Sequence, residues 1–293
     1  MRVGFIGLGL MGRPMAGHLQ KAGHELHLWA RRPESLVPFR DSGAQLHATP
    51  AELAAAVEVV ITMVADGSDV AALAFGEQGL AAGAAPGLVV VDMSTIGPSA
   101  ARDIGSRLAT QGIEFVDAPV SGGEKGAIEA TLTIMAGGKA EVFERVLPLF
   151  NAVGKTVNRI GEIGAGQVAK ACNQVLVAAG IAAVAESITL AEQSGVDFAK
   201  VREALLGGFA YSRVLENHGQ RMLDGNFEPG FKAWMHQKDM RIVLDEAHRG
   251  GLMMPIAAAF AQLMNGVVGA GLGEKDSISV LTLLRRIGGK APR

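Results

Sequence analysis

The sequence predicts an α/β fold in which a doubly wound, largely parallel sheet is followed by an all-helical C-terminal domain. In the first half, short β-branched runs alternate with helical segments, a pattern typical of βαβ units with helices on both faces of the sheet. After Gly161 the strand signals end and helical patterns continue to the C-terminus. A length of 293 residues agrees with two domains. We place them at residues 1–162 and 163–293.

Each element follows from its local pattern. The predicted strands are Val3–Ile6, Glu25–Trp29, Val57–Met63, Leu88–Asp92, Glu114–Val116, Thr131–Met135 and Thr156–Arg159. Helices between them are predicted over Met11–Ala22, Ser35–Ser42, Ser99–Gln111 and Ala140–Val153. A long helix over residues 167–194 opens the second domain, and its middle, residues 175–185, is uncharged. A helix that is apolar all round is expected to be buried between the domains, in the helical domain or in a subunit contact. We therefore expect a homodimer or homotetramer.

Composition excludes several classes of protein. The net charge is −2 and the charges are interspersed, which argues against a nucleic-acid partner. The single cysteine, Cys172, excludes an intrachain disulfide and a thiolate-cluster metal site, so we expect no metal. The longest uncharged stretch, Ala171–Ala185, is shorter than the roughly 20 residues that a membrane span needs. We expect a cytoplasmic protein with neither a membrane span nor a targeting segment.

A glycine motif follows the first predicted strand and precedes the first helix. Its residues are Gly7-Leu8-Gly9-Leu10-Met11-Gly12, which form G-x-G-x-x-G. Such glycines permit a tight turn, close approach of the backbone to a pyrophosphate and tight packing of helix on strand. The alternative is a plain strand-to-helix turn. The context favours a Rossmann-type dinucleotide-binding domain.

The end of the second strand indicates which dinucleotide binds. NAD-binding domains usually carry an acidic residue there, whereas this chain has Ala30-Arg31-Arg32. Guanidinium groups bind the 2′-phosphate of NADP with charge-assisted hydrogen bonds, although the two arginines could also be a solvated loop pair. NADP(H) is therefore the expected cofactor, with NAD(H) as the alternative. Loops at the carboxyl edge of the sheet should add further cofactor contacts, from Met63, Val64 and Thr95.

Three further segments carry polar residues among small and apolar ones: Asp117–Gly123, Gly161–Gln174 and Phe231–Met240. Together with the glycine motif they resemble the β-hydroxyacid dehydrogenase family, over the whole chain and in the expected order. The resemblance implies an NAD(P)-dependent oxidoreductase that interconverts a short 3-hydroxy acid and its semialdehyde. It also implies an active site in the cleft between the two domains.

Ser121, Gly122 and Gly123 are the expected carboxylate-binding segment. Two consecutive glycines leave backbone N–H groups accessible beside a hydroxyl group, which suits a substrate carboxylate. The family uses this segment in that way. A tight turn that needs glycine is the alternative.

Lys170 and Asn173 lie three residues apart, so they share one face of a helix. A cation among apolar neighbours is expensive to bury, unless it is a lysine that extends to solvent from a helix start. By resemblance Lys170 is the general acid/base, and Asn173 holds the substrate hydroxyl or carbonyl group. Cys172 points to another side of the helix, and we interpret it as core packing rather than a nucleophile.

The third segment supplies the remaining expected contacts. By resemblance Lys238 reaches the cofactor, the alternative being a surface lysine. Phe231 is expected to line the substrate pocket. His236 is a further lining residue to which we assign no catalytic role.

Several stretches resemble the branch of the family that reduces tartronate semialdehyde: Gly123-Glu124, Gly126-Ala127, Thr131–Met135, Gly161–Gln174 and Phe227–Phe231. Reduction of tartronate semialdehyde to D-glycerate is therefore the first expectation. 3-Hydroxyisobutyrate, L-threonate, succinic semialdehyde and glyoxylate stay open as substrates. Tyr211-Ser212-Arg213 is not tied to tartronate semialdehyde, because Arg213 could pair with a second substrate carboxylate or with a neighbouring acid.

Two other classes of protein are alternatives. A non-catalytic NADP-binding homologue would keep the glycine motif and lose the lysine, so the presence of Lys170 argues against it. An imine reductase would share the architecture but typically lacks a lysine at this position.

Overall fold

The structure is a computed structural model that describes residues 1–288. Backbone contacts divide the chain into two compact units, the first spanning Met1–Lys170 and the second beginning at Ala171. The first unit is α/β and the second is helical. The predicted fold class is therefore confirmed.

The first unit, all of whose residues are described, contains one nine-stranded sheet. Its strands are β1 Arg2–Ile6, β2 Glu25–Trp29, β3 Gln45–Leu46, β4 Val59–Thr62, β5 Val89–Asp92, β6 Glu114–Asp117, β7 Val120–Ser121, β8 Leu132–Gly137 and β9 Gly154–Gly161. Their order is β3-β2-β1-β4-β5-β6-β8-β7, with β9 paired to β8. Strands β1 to β6 pair in parallel, whereas β8 is antiparallel to β6 and β7. The strand order runs from β1 to β3 on one side and from β4 to β6 on the other, so the order reverses between the parallel strands β1 and β4. Open α/β sheets bind ligands at such a switch point.

Helices cover both faces of this sheet. They are α1 Gly12–Lys21, α2 Pro50–Ala56, α3 Gly67–Phe75, α4 Leu80–Gly83, α5 Pro98–Ala109, α6 Gly123–Ile128 and α7 Ala140–Val153. Because side chains alternate along a strand, Val3 and Phe5 pack with α1 and α7 on one face. Ile6 and Val60 pack with α2, α3 and α5 on the other. The doubly wound arrangement is confirmed.

Apart from shifts at the ends of several elements, the structure differs from the predictions at one helix and two short strands. The predicted helix Ser35–Ser42 is a 3-10 helix over Pro33–Phe39. Pro38 lies inside it and has no N–H to donate, which removes one hydrogen bond of an α-helical ladder and disfavours a regular α-helix there. Strands β3 and β7 were not predicted, because two residues are too few to show an alternating pattern.

Helix α8, Ala165–Gln193, begins in the first unit and continues into the second. The other helices of the second unit are α9 Phe198–Leu206, α10 Gly219–Leu223, α11 Ala233–Arg249, α12 Pro255–Val267 and α13 Val280–Ile287. Short π-helical and 3-10 segments lie at Val214–His218, Val268–Leu272 and Ser277–Ser279. Their shared core includes Ile181, Phe260 and Met264. Among the described residues of this unit, β pairing is limited to the isolated bridge between Lys232 and Asp276.

Helix α8 is less buried than its composition predicts. Leu176, within the uncharged stretch, is 73% exposed, and Leu190, further along the helix, is 69% exposed, so a single chain does not bury α8 on every side. The uncharged stretch Ala171–Ala185, which alone is too short for a membrane span, lies within this longer helix. By length and composition alone, α8 and the segment Pro255–Leu272 could each cross a membrane, although core helices of globular proteins pass the same test.

Candidate active site

The three motif glycines have distinct structural reasons to be glycine. Gly7 has a φ of +103°, and a Cβ atom on it would overlap the carbonyl oxygen of Met63. A Cβ atom on Gly12 would overlap the carbonyl oxygen of Gly7, so a larger residue would push α1 away from β1. A Cβ atom on Gly9 would meet no other atom within 4 Å. Gly9 therefore leaves open space at the turn, and this space fits the close approach of a dinucleotide pyrophosphate.

The other three motif residues separate into core and surface. Leu8 is buried, and Met11 packs half-buried against the same core. Leu10 is exposed next to Gly9. The turn is thus anchored by Leu8 and Met11 while its outer backbone stays accessible.

The two arginines after β2 are exposed. The side chain of Arg31 is 80% exposed, and its Nη1 donates to Oδ1 of Asp69 at 3.1 Å. Arg32 is exposed just before the 3-10 helix, and Ala30 packs against the core. The position after β2 therefore carries no acid, and a guanidinium group lies next to it.

Hydrogen bonds link the loop after β4 to the end of β1 and to the loop after β5. The N–H of Met63 donates to the carbonyl oxygen of Ile6 at 2.9 Å, which continues the parallel ladder. The N–H of Val64 donates to Oγ of Ser94 at 2.9 Å. Thr95 follows directly and is half-buried. Met63, Val64 and Thr95 therefore lie at one edge of the sheet.

Lys170 is placed beside the Ser121–Gly123 segment. It is 7% exposed, and its Nζ donates to the carbonyl oxygen of Val120 at 2.8 Å. Ser121 is half-buried at the end of β7, and Gly122 and Gly123 have φ values of +137° and +62°. The buried ammonium group therefore contacts the residue that directly precedes Ser121. Ser121 has a hydroxyl group, and the two glycines that follow it have φ values that only glycine adopts readily.

In the second unit, two hydrogen bonds and one ion pair connect Asn173 to Lys238 through Gln174 and Asp239. Nδ2 of Asn173 donates to Oε1 of Gln174 at 2.8 Å, and Nε2 of Gln174 donates to Oδ2 of Asp239 at 2.6 Å. Nζ of Lys238 lies 2.9 Å from Oδ1 of Asp239. The side chain of Lys238 is only 10% exposed, which contradicts the alternative of a surface lysine. Sequence reasoning noted neither Gln174 nor Asp239 as a functional residue.

Phe231 is held by its backbone and by an aromatic neighbour. Its ring lies edge-on to that of His236 at 5.5 Å, and the ring of His236 is 4.9 Å from that of Phe260. The N–H of Phe231 donates to Oδ2 of the buried Asp276 at 3.2 Å. The contacts of His236 are those of a core residue.

Asp117, at the end of β6, is fully buried and was not identified from the sequence as a functional residue. Its Oδ1 accepts from the N–H of Gly164 at 2.6 Å, and its Oδ2 accepts from the N–H of Gln167 at 2.9 Å. Burial raises the pKa of Asp117 to about 7, the two N–H donors oppose that rise, and the carboxyl group of Asp92 adds to it. A sequence signal existed, because a helix that follows Gly164 has no capping side chain of its own.

Cys172 corrects one interpretation. It is exposed on α8, so it does not pack in the core. It lies two residues after the buried Lys170, and such positions point to different sides of a helix. Among residues 1–288, no group of three or more His, Cys, Asp or Glu side chains could hold a metal ion.

Two protein-family models match the chain. The NAD binding domain of 6-phosphogluconate dehydrogenase matches residues 2–161, and the NAD-binding domain of NADP-dependent 3-hydroxyisobutyrate dehydrogenase matches residues 164–284. With the glycine turn and the buried lysine, these matches define an NAD(P)-dependent hydroxyacid dehydrogenase.

Similar proteins define the family more closely. The 2-hydroxy-3-oxopropionate reductase of Escherichia coli (strain K12) is 41% identical over 97% of this chain and 97% of its own length. The L-threonate dehydrogenase of Cupriavidus necator is 36% identical over 96% and 95%. The structure of Mycobacterium tuberculosis 3-hydroxyisobutyrate dehydrogenase superimposes with a TM-score of 0.90 at 29% identity, covering 97% of this chain and all of that one. The chain belongs to the β-hydroxyacid dehydrogenase family.

The glycine turn generates a prediction with an internal control. We expect Gly9→Ala to leave the thermal midpoint unchanged and to weaken NADPH binding at least about tenfold, because the methyl group would occupy the space for the pyrophosphate. Gly12→Ala should lower the thermal midpoint, because its methyl group overlaps the Gly7 carbonyl oxygen. Gly17→Ala on the same helix is the control, since a Cβ atom there meets nothing within 4 Å. Titration calorimetry and thermal melts measure both effects, and wild-type affinity in Gly9→Ala contradicts the prediction.

The raised pKa of Asp117 predicts a pH dependence of stability. Between about pH 4 and pH 7 the folded protein keeps a proton on this carboxyl group that the unfolded chain has released. The contribution of Asp117 to stability therefore decreases as the pH rises through that window. Asp117→Asn lacks this titration, so the free energy of unfolding of the wild type should decrease relative to that of the variant. Urea unfolding of both proteins across the window measures the difference, and a constant or rising difference contradicts the prediction.

Proposed function

We propose that this enzyme is an NADP-preferring reductase that converts tartronate semialdehyde to D-glycerate. Residues 1–162 would bind the cofactor, and residues 163–293 would complete the substrate site and carry the contacts between subunits. The observation that supports this most directly is the buried ammonium group of Lys170, hydrogen-bonded to Val120 next to Ser121.

In this proposal Lys170 is the general acid. When bound, the reduced nicotinamide supplies hydride to the aldehyde carbon. Lys170 donates a proton to the carbonyl oxygen, and in the reverse direction it accepts the proton of the alcohol. Its positive charge also stabilises the alkoxide that develops at that oxygen. The hydrogen bond to Val120 holds the ammonium group at one place while this happens.

The substrate would be held at two ends. The hydroxyl group of Ser121 and the backbone of Gly122 and Gly123 bind the carboxylate. Asn173 directs its amide NH₂ toward Gln174, so we assign its Oδ1 to accept a hydrogen bond from the substrate hydroxyl group. Phe231 supplies an apolar wall. Lys238, held by Asp239, contributes a positive charge toward the cofactor.

Two observations support the choice of cofactor and substrate. Arg31 and Arg32 with Ala30 favour NADP(H), with NAD(H) as the weaker cofactor. The chain is 41% identical to a 2-hydroxy-3-oxopropionate reductase. 2-Hydroxy-3-oxopropionate is another name for tartronate semialdehyde, so this identity favours tartronate semialdehyde as the substrate. 3-Hydroxyisobutyrate, L-threonate, succinic semialdehyde and glyoxylate are the alternatives within the family.

Self-association and location complete the proposal. The exposed Leu176 and Leu190 lie on α8, and burial of such side chains against a second copy would remove apolar surface from water. We therefore propose a homodimer or homotetramer that works in the cytoplasm.

A substrate panel tests the proposal. We expect kcat/KM with NADPH to be highest for tartronate semialdehyde. The ratio of kcat/KM values between substrates is the quantity measured, because it defines specificity. The panel contains tartronate semialdehyde, methylmalonate semialdehyde, succinic semialdehyde and glyoxylate, with L-threonate and 3-hydroxyisobutyrate assayed as oxidation with NADP⁺. Lys170→Ala should reduce kcat at least about a hundredfold, as expected for loss of a general acid.

Lys155→Ala is the matched control, because this exposed lysine lies on β9 and should leave kcat unchanged. A higher kcat/KM for another substrate would overturn the choice of tartronate semialdehyde. Full activity of Lys170→Ala would overturn the mechanism.

The cofactor preference has its own test. Replacing both arginines, Arg31→Ala with Arg32→Ala, should raise the Kd for NADPH about tenfold or more, because charge-assisted bonds to a phosphate are lost. The Kd for NADH should change little, since that cofactor has no 2′-phosphate. Arg40→Ala, at the far end of the same 3-10 helix, is the control. Equal losses for NADPH and NADH would show that the arginines do not read the phosphate.

A further inference from the structure

The first turn of α8 has no capping side chain of its own. The helix begins at Ala165, and the residue before it is Gly164, whose φ is +90°. The first N–H groups of a helix have no partner within the helix and need one elsewhere. Lys170 lies one turn further on. The contacts that hold this first turn therefore determine the position of the backbone at Lys170.

Asp117 supplies the missing cap from another element. Its two carboxylate oxygens accept from the N–H groups of Gly164 and Gln167, which are the N-cap and N3 positions of α8. In a capping box two side chains of the helix itself satisfy these positions. Here one carboxylate from the end of β6 satisfies both. The start of α8 is thus tied directly to the sheet.

The carboxylate fits closely in its place. A Cβ atom on Gly137 would lie 2.6 Å from Oδ1 of Asp117, and one on Gly166 would lie 2.9 Å from Oδ2. The Cβ atom on Gly166 would also overlap the carbonyl oxygen of Met135. Because both positions are glycine, there is space for the Asp117 carboxylate, and these close contacts restrict its position.

Gln167 adds a second tie from the same turn. It is buried, and its Oε1 accepts from the N–H groups of Ile96 at 3.1 Å and Gly97 at 3.2 Å. Its Nε2 donates to the carbonyl oxygen of Ser94 at 2.8 Å. The amide therefore bonds to the loop that follows β5. The first turn of α8 is fixed to the ends of two neighbouring strands.

We propose that Asp117 and Gln167 are positioning residues that set the location of the Lys170 ammonium group relative to the segment Ser121–Gly123. This inference rests on the proposed role of Lys170. Asp117 lies three residues before Val120, which accepts the hydrogen bond from Nζ of Lys170. One short segment of chain thus holds α8 at its first turn and at the lysine. Displacement of a reacting group by about 1 Å can cost about a hundredfold in rate.

Asp117→Asn tests the inference at pH 8 with saturating NADPH. Asparagine fits the same space but has one acceptor where two are needed. We expect kcat and kcat/KM to fall together by about tenfold to a hundredfold, as for an interaction that matters in the transition state. The Kd for NADPH should stay within about twofold, because the glycine turn and the arginines are untouched. Asp197→Asn is the control, since Asp197 caps α9, accepting from the N–H of Ala199, and we assign no site residue to that helix.

A double-mutant cycle separates positioning from a general structural role. Because Asp117 acts through Lys170, adding Asp117→Asn to Lys170→Ala should cause no further loss of kcat. If the role is only structural, Asp117→Asn lowers the thermal midpoint, as Asp197→Asn does, and leaves kcat unchanged. That result, with Lys170→Ala inactive, would overturn the inference and leave the proposed function standing. A fully active Lys170→Ala would overturn the proposed function itself.

Gln167→Met decides the question should Asp117→Asn fail to fold. Methionine has a similar length and keeps none of the three hydrogen bonds of the amide. A loss of kcat that disappears in the Lys170→Ala background supports the inference. A kcat equal to that of the wild type overturns it.

Discussion

The hydrogen bonds between the first turn of α8 and the ends of β5 and β6 are the constraint on which the arrangement depends. A parallel sheet brings the carboxyl ends of its strands to one edge, and the functional loops must start there. The helix that carries Lys170 is not the crossover helix of any βαβ unit, so sheet topology alone does not place it. Asp117 and Gln167 make that connection with buried hydrogen bonds. In the proposed mechanism, the position of the catalytic lysine thus depends on two residues that are not assigned to bind substrate.

Burial of the lysine is consistent with this account. An ammonium group out of water loses hydration energy and must regain it from nearby polar atoms. The carbonyl oxygen of Val120 supplies one partner at 2.8 Å. Since the same segment continues into Ser121 and two glycines, the hydrogen bond that stabilises the charge also holds it next to the proposed carboxylate site. In this proposal, stability and catalysis draw on the same contact.

The amino-acid pattern predicts those parts of the fold that depend on local sequence. β2 and α7 have the bounds that alternation and helical periodicity predict, Glu25–Trp29 and Ala140–Val153. The pattern could not predict the two-residue strand β7, whose formation depends on β8. Cys172 was predicted to pack in the core because it points to a different side of the helix from Lys170, yet it is exposed, since α8 is incompletely covered by its own chain.

The same distinction between local and long-range effects applies to the residues of the candidate site. Roles that follow from a residue's own chemistry, such as those of Gly7 and Gly12, could be inferred in advance. The role of Asp117 could not, because its partners Gly164 and Gln167 come about 50 residues later and meet it only in the folded sheet. Contacts of that separation are set by topology. The glycine at position 164 was a visible sign that a cap had to come from elsewhere.

The pairing of Arg31 with Asp69 bears on how NADP would be selected. An exposed ion pair of this kind contributes at most about 1 kcal/mol, because water and salt screen it. A guanidinium group binds a doubly charged phosphate more strongly than a single carboxylate, often through two parallel hydrogen bonds. The 2′-phosphate can therefore displace Asp69 from Arg31 at low cost. A cofactor without that phosphate offers no competing anion, so Arg31 would stay paired with Asp69. In the proposed function, the ion pair thus holds the guanidinium group near the end of β2, where the 2′-phosphate of NADP(H) would bind.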